Sequence, residues 1–147
     1  MSVPTYLVGI NGQHVQVTTA GEVVVAAGPY DFTKYHELDV INTAYNFYKP
    51  RDREQFVITG IIMYGDKQVS SATNATVIIY EASAEDTTTV DRILVQVEVG
   101  QNQSVPFPSM RVLANYGTYI NAKTDDDDVH VTMLGHYVDL DGSGATE

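Results

Sequence analysis

The sequence predicts an all-β protein: an antiparallel β-sandwich of the jelly-roll type, preceded by a small N-terminal β-meander arm. Three observations carry this expectation. About ten short runs rich in Val, Ile, Thr and Tyr are bounded by Gly, Pro, Asn and Asp. No stretch of useful length has helical periodicity, and the best candidate, Tyr35 to Tyr48, is too rich in β-branched and aromatic residues. The stretch Val112 to Leu140 reads as two strands joined by a turn, alternating over Gly117 to Lys123 and again with Val129, Val131 and Met133 on one face and His130, Thr132 and Leu134 on the other. It reads as the closing hairpin of the sandwich, with Asp125 to Asp128 as its solvated turn.

The N-terminal 28 residues are expected to form a unit of their own. Asn11-Gly12 between Thr5–Ile10 and His14–Thr19 suits a type I′ hairpin turn. Ala20-Gly21 then leads into Glu22–Ala27, giving three short strands too narrow to be stable alone. Gly28-Pro29 punctuates the chain, and residues 29–140 are expected to be the sandwich. Its strands begin with Pro29–Ile41 and the aromatic-rich Asn42–Tyr48. After the loop Lys49–Glu54 comes the strongest run, Gln55–Tyr64, where Gly60 marks a bulge or a close backbone approach. Thr76–Glu81 is apolar on both faces and reads as a central strand. Arg92–Val99 alternates, with Ile93, Val95, Val97 and Val99 expected inward. Pro106 and Pro108 bracket an edge, since proline cannot donate to a ladder. Residues 141–147 form a polar tail.

The chain has 147 residues and no cysteine, so one domain must fold by its core alone. Nineteen acids against eight bases give a net charge of −11, which argues against nucleic acid and anionic membrane surfaces as partners. No secretory signal pattern opens the chain, and no apolar run approaches the roughly 20 residues of a membrane helix.

Motifs for chemistry are weak. Asp125 to Asp128 lacks the spacing and distal glutamate of a calcium loop, and consecutive acids in an extended chain point to opposite sides. A zinc site would need three of His14, His36, His130 and His136 to converge. Ser143 sits in Gly-Ser-Gly without the strand and helix of a nucleophile elbow. No catalytic residue, cofactor or metal is therefore expected. The loop KPRDRE holds three of the eight bases, and its arginines could fork onto carboxylates of an acidic partner. The competing reading is an ordinary loop with internal ion pairs. The ten tyrosines offer large faces with polar tips, suited to core and interface alike. Lys49, Arg51, Arg53, Tyr116 and Tyr119 are the candidate partner contacts.

The segment from Asn46 to Tyr137 resembles small structural proteins of tailed bacteriophages. The likeness is carried by NFYKPRDREQFVITGIIMYGD, by Gly117-x-Tyr-Ile-Asn-Ala-Lys123, by the acidic turn, and by Val129-His-Val-Thr132 with Gly135 near an aromatic. The resemblance implies a jelly-roll virion protein of the capsid decoration, or cement, type. It implies the major capsid protein and a homotrimer as partners, the capsid exterior as location, and no catalytic residue. The alternative is a tail-fibre or receptor-binding module that recognises host glycans; a cupin-like metal enzyme ranks third.

Overall fold

The computed structural model describes residues 32–66 and 74–140. The expected meander (1–28) and polar tail (141–147) lie outside the described residues. The described elements are all strands: β1 Phe32–Leu38, β2 Tyr45–Tyr48, β3 Glu54–Gly65, β4 Ala75–Ala82, β5 Arg92–Val99, β6 Ser104–Phe107, β7 Val112–Leu113, β8 Tyr119–Thr124 and β9 Val129–Asp139. One sheet runs β1-β9-β3-β6, with β7 also on β3, and the other runs β2-β8-β4-β5. Every pairing is antiparallel. β6 and β7 pair with successive parts of β3 and act as one interrupted edge. The pairs β1–β9, β2–β8, β3–β6/β7 and β4–β5 are nested in sequence, which is the wrapped double Greek key of a jelly roll.

Alternation builds the core. β9 turns Val129, Val131 and Met133 inward, where they are fully buried with Ile58, Ile61 and Met63 of β3 and Val77 and Ile79 of β4. In β3, Ile58 opposes Gly135 and Gly60 opposes Leu134, so Thr59 is an extra, bulged residue. The bulge lets Ile58 and Ile61 both face inward although they are three apart. The expected central strand is confirmed, since β4 lies between β8 and β5. Pro106 falls on the edge strand β6.

Two local expectations are corrected. Val112 to Leu140 is not a closing hairpin: β8 belongs to one sheet and β9 to the other, so Asp125 to Asp128 carries the chain across the sandwich. β8 buries Ile120, Asn121 and Ala122 in succession, so both its faces are covered, and its two edges are taken by β2 and β4. β9 is likewise flanked by β1 and β3. Thr124 turns the chain through its hydroxyl, which accepts from the Asp126 amide at 3.2 Å and donates to the Asp126 carbonyl at 2.9 Å. The second correction is Ile93, expected inward but 49% exposed. Ile79 opposes Val95 and Tyr80 opposes Ile93, so a bulge at Leu94 reverses the alternation there.

At one end the sheets are clasped by a buried charge. Glu81 of β4 is 1% exposed. It accepts from Arg92 Nε at 3.0 Å and Nη2 at 2.5 Å, and from the Asn115 amide at 2.6 Å and Nδ2 at 3.1 Å. Arg92 Nη2 also donates to the Leu113 carbonyl at 3.1 Å, so the network ties β4 and β5 to the β7 strand of the opposite sheet. Four donors satisfy the carboxylate, which burial would otherwise penalise heavily.

Burial pushes the Glu81 carboxyl up, but the Arg92 and Asn115 hydrogen bonds outweigh it and hold the group below its ordinary value of 4.5. As pH falls, the unfolded chain takes up this proton before the folded chain does. The clasp therefore stabilises fully above the ordinary carboxylate range and is lost as pH falls through the lowered value. Urea denaturation between pH 6 and about pH 3 should show stability falling with acid in the native chain and a shallower fall in Glu81→Gln; parallel curves would refute the assignment. Arg92→Ala, which leaves the carboxylate buried without its cation, should cost about 2 kcal/mol at neutral pH, allowing for the half-exposed guanidinium.

Candidate functional site

The two ends of the sandwich differ in charge. At one end the β1–β2 and β8–β9 connections meet the end of β3. The Asn42 amide donates to the Thr124 carbonyl at 2.8 Å, the Asp66 amide to the Asp128 carbonyl at 3.0 Å, and the Gly65 amide to the Gln103 carbonyl at 2.9 Å. Asp39, Asp66 and Asp125 to Asp128 gather there.

The opposite end gathers the β2–β3, β4–β5 and β7–β8 connections, and it brings the candidate contacts together. The Arg53 amide donates to the Tyr116 hydroxyl at 3.4 Å, and that hydroxyl donates to Asp52 at 3.3 Å. Lys49 Nζ lies 2.7 Å from Glu85 in an exposed pair. Glu85 holds the Lys49 ammonium above its ordinary range, with the nearby Tyr119 phenol a smaller contribution. Arg51 lies 3.7 Å from Glu54. One of these pairs, Arg51–Glu54, is internal to the KPRDRE loop, and both are exposed and cheap to exchange.

Between the start of β1 and the end of β2 an open groove of about 350 Å³ is lined by Phe32, Lys34, Asn46, Tyr48, Lys49, Arg51 and Tyr137, among others. No carboxylate is among its lining residues. Its floor is aromatic. Tyr48 stacks on Phe56 with centroids 3.6 Å apart, and Tyr137 meets Phe56 edge-on at 5.1 Å. The Tyr137 hydroxyl donates to the Lys49 carbonyl at 2.6 Å, and the Tyr48 hydroxyl to the Phe32 carbonyl at 2.8 Å. The Arg51 guanidinium lies 3.8 Å from the Tyr137 ring centroid and 5.2 Å from that of Phe32, so ring faces hold it over the groove. Burial pushes the Tyr137 phenol up, opposed by Arg51.

This floor requires Gly135. A Cβ there would stand 2.3 Å from Phe56 Cζ and 2.4 Å from the Val57 carbonyl oxygen. Sequence reasoning found the loop cations but missed Lys34 and the aromatic floor. Lys34 reads as one exposed residue of an edge strand, and only the fold sets it across from Lys49.

Among the described residues the histidines do not converge. His36 Nε2 donates to the Asn46 carbonyl across the sandwich at 2.7 Å, whereas His130 stacks with Tyr35 on the outer face of the sheet. Among the described residues no three His, Asp or Glu side chains form a metal-binding group, and His14 lies outside them.

A scan against family models finds no match, and a search of curated proteins finds none. Among solved structures, a chain from the disulfide-linked pili of Bacillus endospore appendages matches at a TM-score of 0.42 and 10% identity, over 72% of this chain and 85% of that one. At that score the likeness carries no argument.

Gly135→Ala should lower stability by about 2 kcal/mol or more, because backbone as well as Phe56 must move. Arg51→Ala should cost under about 1 kcal/mol, as expected of an exposed cation on a ring. Denaturation midpoints read both, and a neutral Gly135→Ala would show that the floor is not constrained as described.

Proposed function

We propose that the protein is a non-enzymatic virion structural protein of the capsid decoration type, joined to its neighbours through the cation-lined groove at one end of the sandwich. A jelly roll hosts many functions, so topology alone does not carry this reading. The observation that carries it is the docking end: Lys34, Lys49 and Arg51 around an aromatic floor, on a protein of net charge −11. Such a surface suits capture by a rigid, acidic partner surface, while the overall charge keeps free copies dispersed. The phage-protein resemblance of Asn46 to Tyr137 adds the virion, the major capsid protein and the homotrimer.

A second reading, a glycan-recognising tail module, is favoured by one observation. Tyr35 stacks on His130, Tyr64 lies 6.0 Å from the same ring, and Glu37, Asp66 and Asn102 border them. Exposed aromatic faces beside polar groups are suited to sugar rings.

Immunogold imaging of virions that incorporate the protein separates the two. Label over the head surface, lost in Lys49→Glu/Arg51→Glu, is the expected result. Label confined to the tail, with glycan-array binding abolished by Tyr35→Ala, would establish the second reading instead.

A further inference from the structure

The Asp125–Asp128 connection is the most acidic segment of the chain, and the reading above gives it no role. Its shape is fixed from within. Asp125 Oδ1 accepts from the Thr76 amide at 2.6 Å, the Asp126 carboxylate accepts from the Asp127 amide at 2.8 Å, and Asp128 takes a left-handed φ of 55°. Asp127 stands exposed at the tip, and its carboxylate has no partner among the described residues. The Asp127 carboxylate is therefore presented outward, beside that of Asp126, on a loop that needs little further ordering.

The groove at the other end of the sandwich has the complementary character. Lys34 forms no ion pair among the described residues, and the Arg51 guanidinium, held by rings, is only loosely paired with Glu54 at 3.7 Å. At about 350 Å³ the groove lies at the small end of the range for ligand clefts, about 300–1,000 Å³. It has room for a loop tip rather than a folded face.

We infer that the groove of one copy receives the Asp126–Asp127 tip of a second copy. The inference rests on the reading of the cation-lined groove as a docking surface and names its partner. Two chains that each carry a charge of −11 repel in most orientations. The head-to-tail orientation instead sets the cationic groove against the aspartate loop, so charge selects the register as well as the contact. Because groove and loop lie at opposite ends, the contact is heterologous. It closes into a ring or continues as an open chain, according to the rotation between copies.

The test is a charge swap on the full-length protein, followed by sedimentation velocity from about 1 μM to 1 mM, a range that captures weak as well as moderate association. The native chain should associate with rising concentration. Lys49→Glu/Arg51→Glu and Asp126→Lys/Asp127→Lys should each weaken self-association by about tenfold or more, since like charges then meet at the contact. An equimolar mixture of the two variants should recover it, because each groove again meets a loop of opposite sign. Lys34→Glu, on an exposed strand position, provides an independent groove variant, and circular dichroism confirms that each variant is folded. A monomeric native chain across the whole range, unchanged association in the variants, or a mixture that stays monomeric would overturn the inference. Loss of head labelling in the groove variant with self-association intact would overturn it too, while leaving the proposed function standing.

Discussion

The stack of Tyr48 on Phe56 over Gly135 holds more of this molecule in place than its size suggests. Tyr48 belongs to one sheet, and Phe56 and Gly135 belong to the other. The ring contact therefore sets the spacing between the sheets at this end. Phe56 reaches its place because position 135 has no side chain. Tyr137 then packs on Phe56, bonds the Lys49 carbonyl and presents its outer face to Arg51. Core packing and surface charge are joined through one chain of contacts, so the position of the cations follows from the aromatic floor beneath them.

Glu81 closes the same end by a different kind of force. Aromatic packing is tolerant of small shifts, whereas a buried carboxylate with four donors is not. The network brings Arg92, at the start of β5, and Asn115, in the β7–β8 connection, to one fixed point. The β4–β5 connection is pinned further along by Tyr80, whose hydroxyl donates to the Thr87 carbonyl at 2.8 Å, and by Asn121, which donates to the Ala84 carbonyl at 2.9 Å. The loops beside the groove are consequently braced from below, which favours binding with little reorganisation.

Much of the fold was legible because alternation reports burial directly. Val129, Val131 and Met133 were readable as an inward row, and the both-sided apolarity of Thr76–Glu81 marked a central strand. What failed was partnership. Two alternating runs joined by four polar residues look the same whether they pair with each other or enter opposite sheets, and β8 and β9 do the latter. The bulge at Leu94 was hidden for a related reason: it depends on the register with β4, which the run Arg92–Val99 does not encode. The candidate contacts Lys49, Arg51, Arg53, Tyr116 and Tyr119 were found by residue type, and the fold does bring them to one end. Lys34 had no local signal. Glu81 had a faint one, as a lone acid in an apolar strand with an arginine eleven residues on.

The pairing of β1 with β9 has a kinetic consequence. Phe32 lies opposite Gly135, and Leu38 opposite Val129. These partners are separated by nearly the whole sandwich sequence, so their ladder cannot form until most of the chain has been gathered. Loop-closure entropy makes such non-local ladders slow to form. Until then β9 has an open edge along its β1 side, a template for pairing with another chain. The high negative charge acts during that interval as well as after it, since it keeps incompletely closed chains apart while the first and last strands find each other.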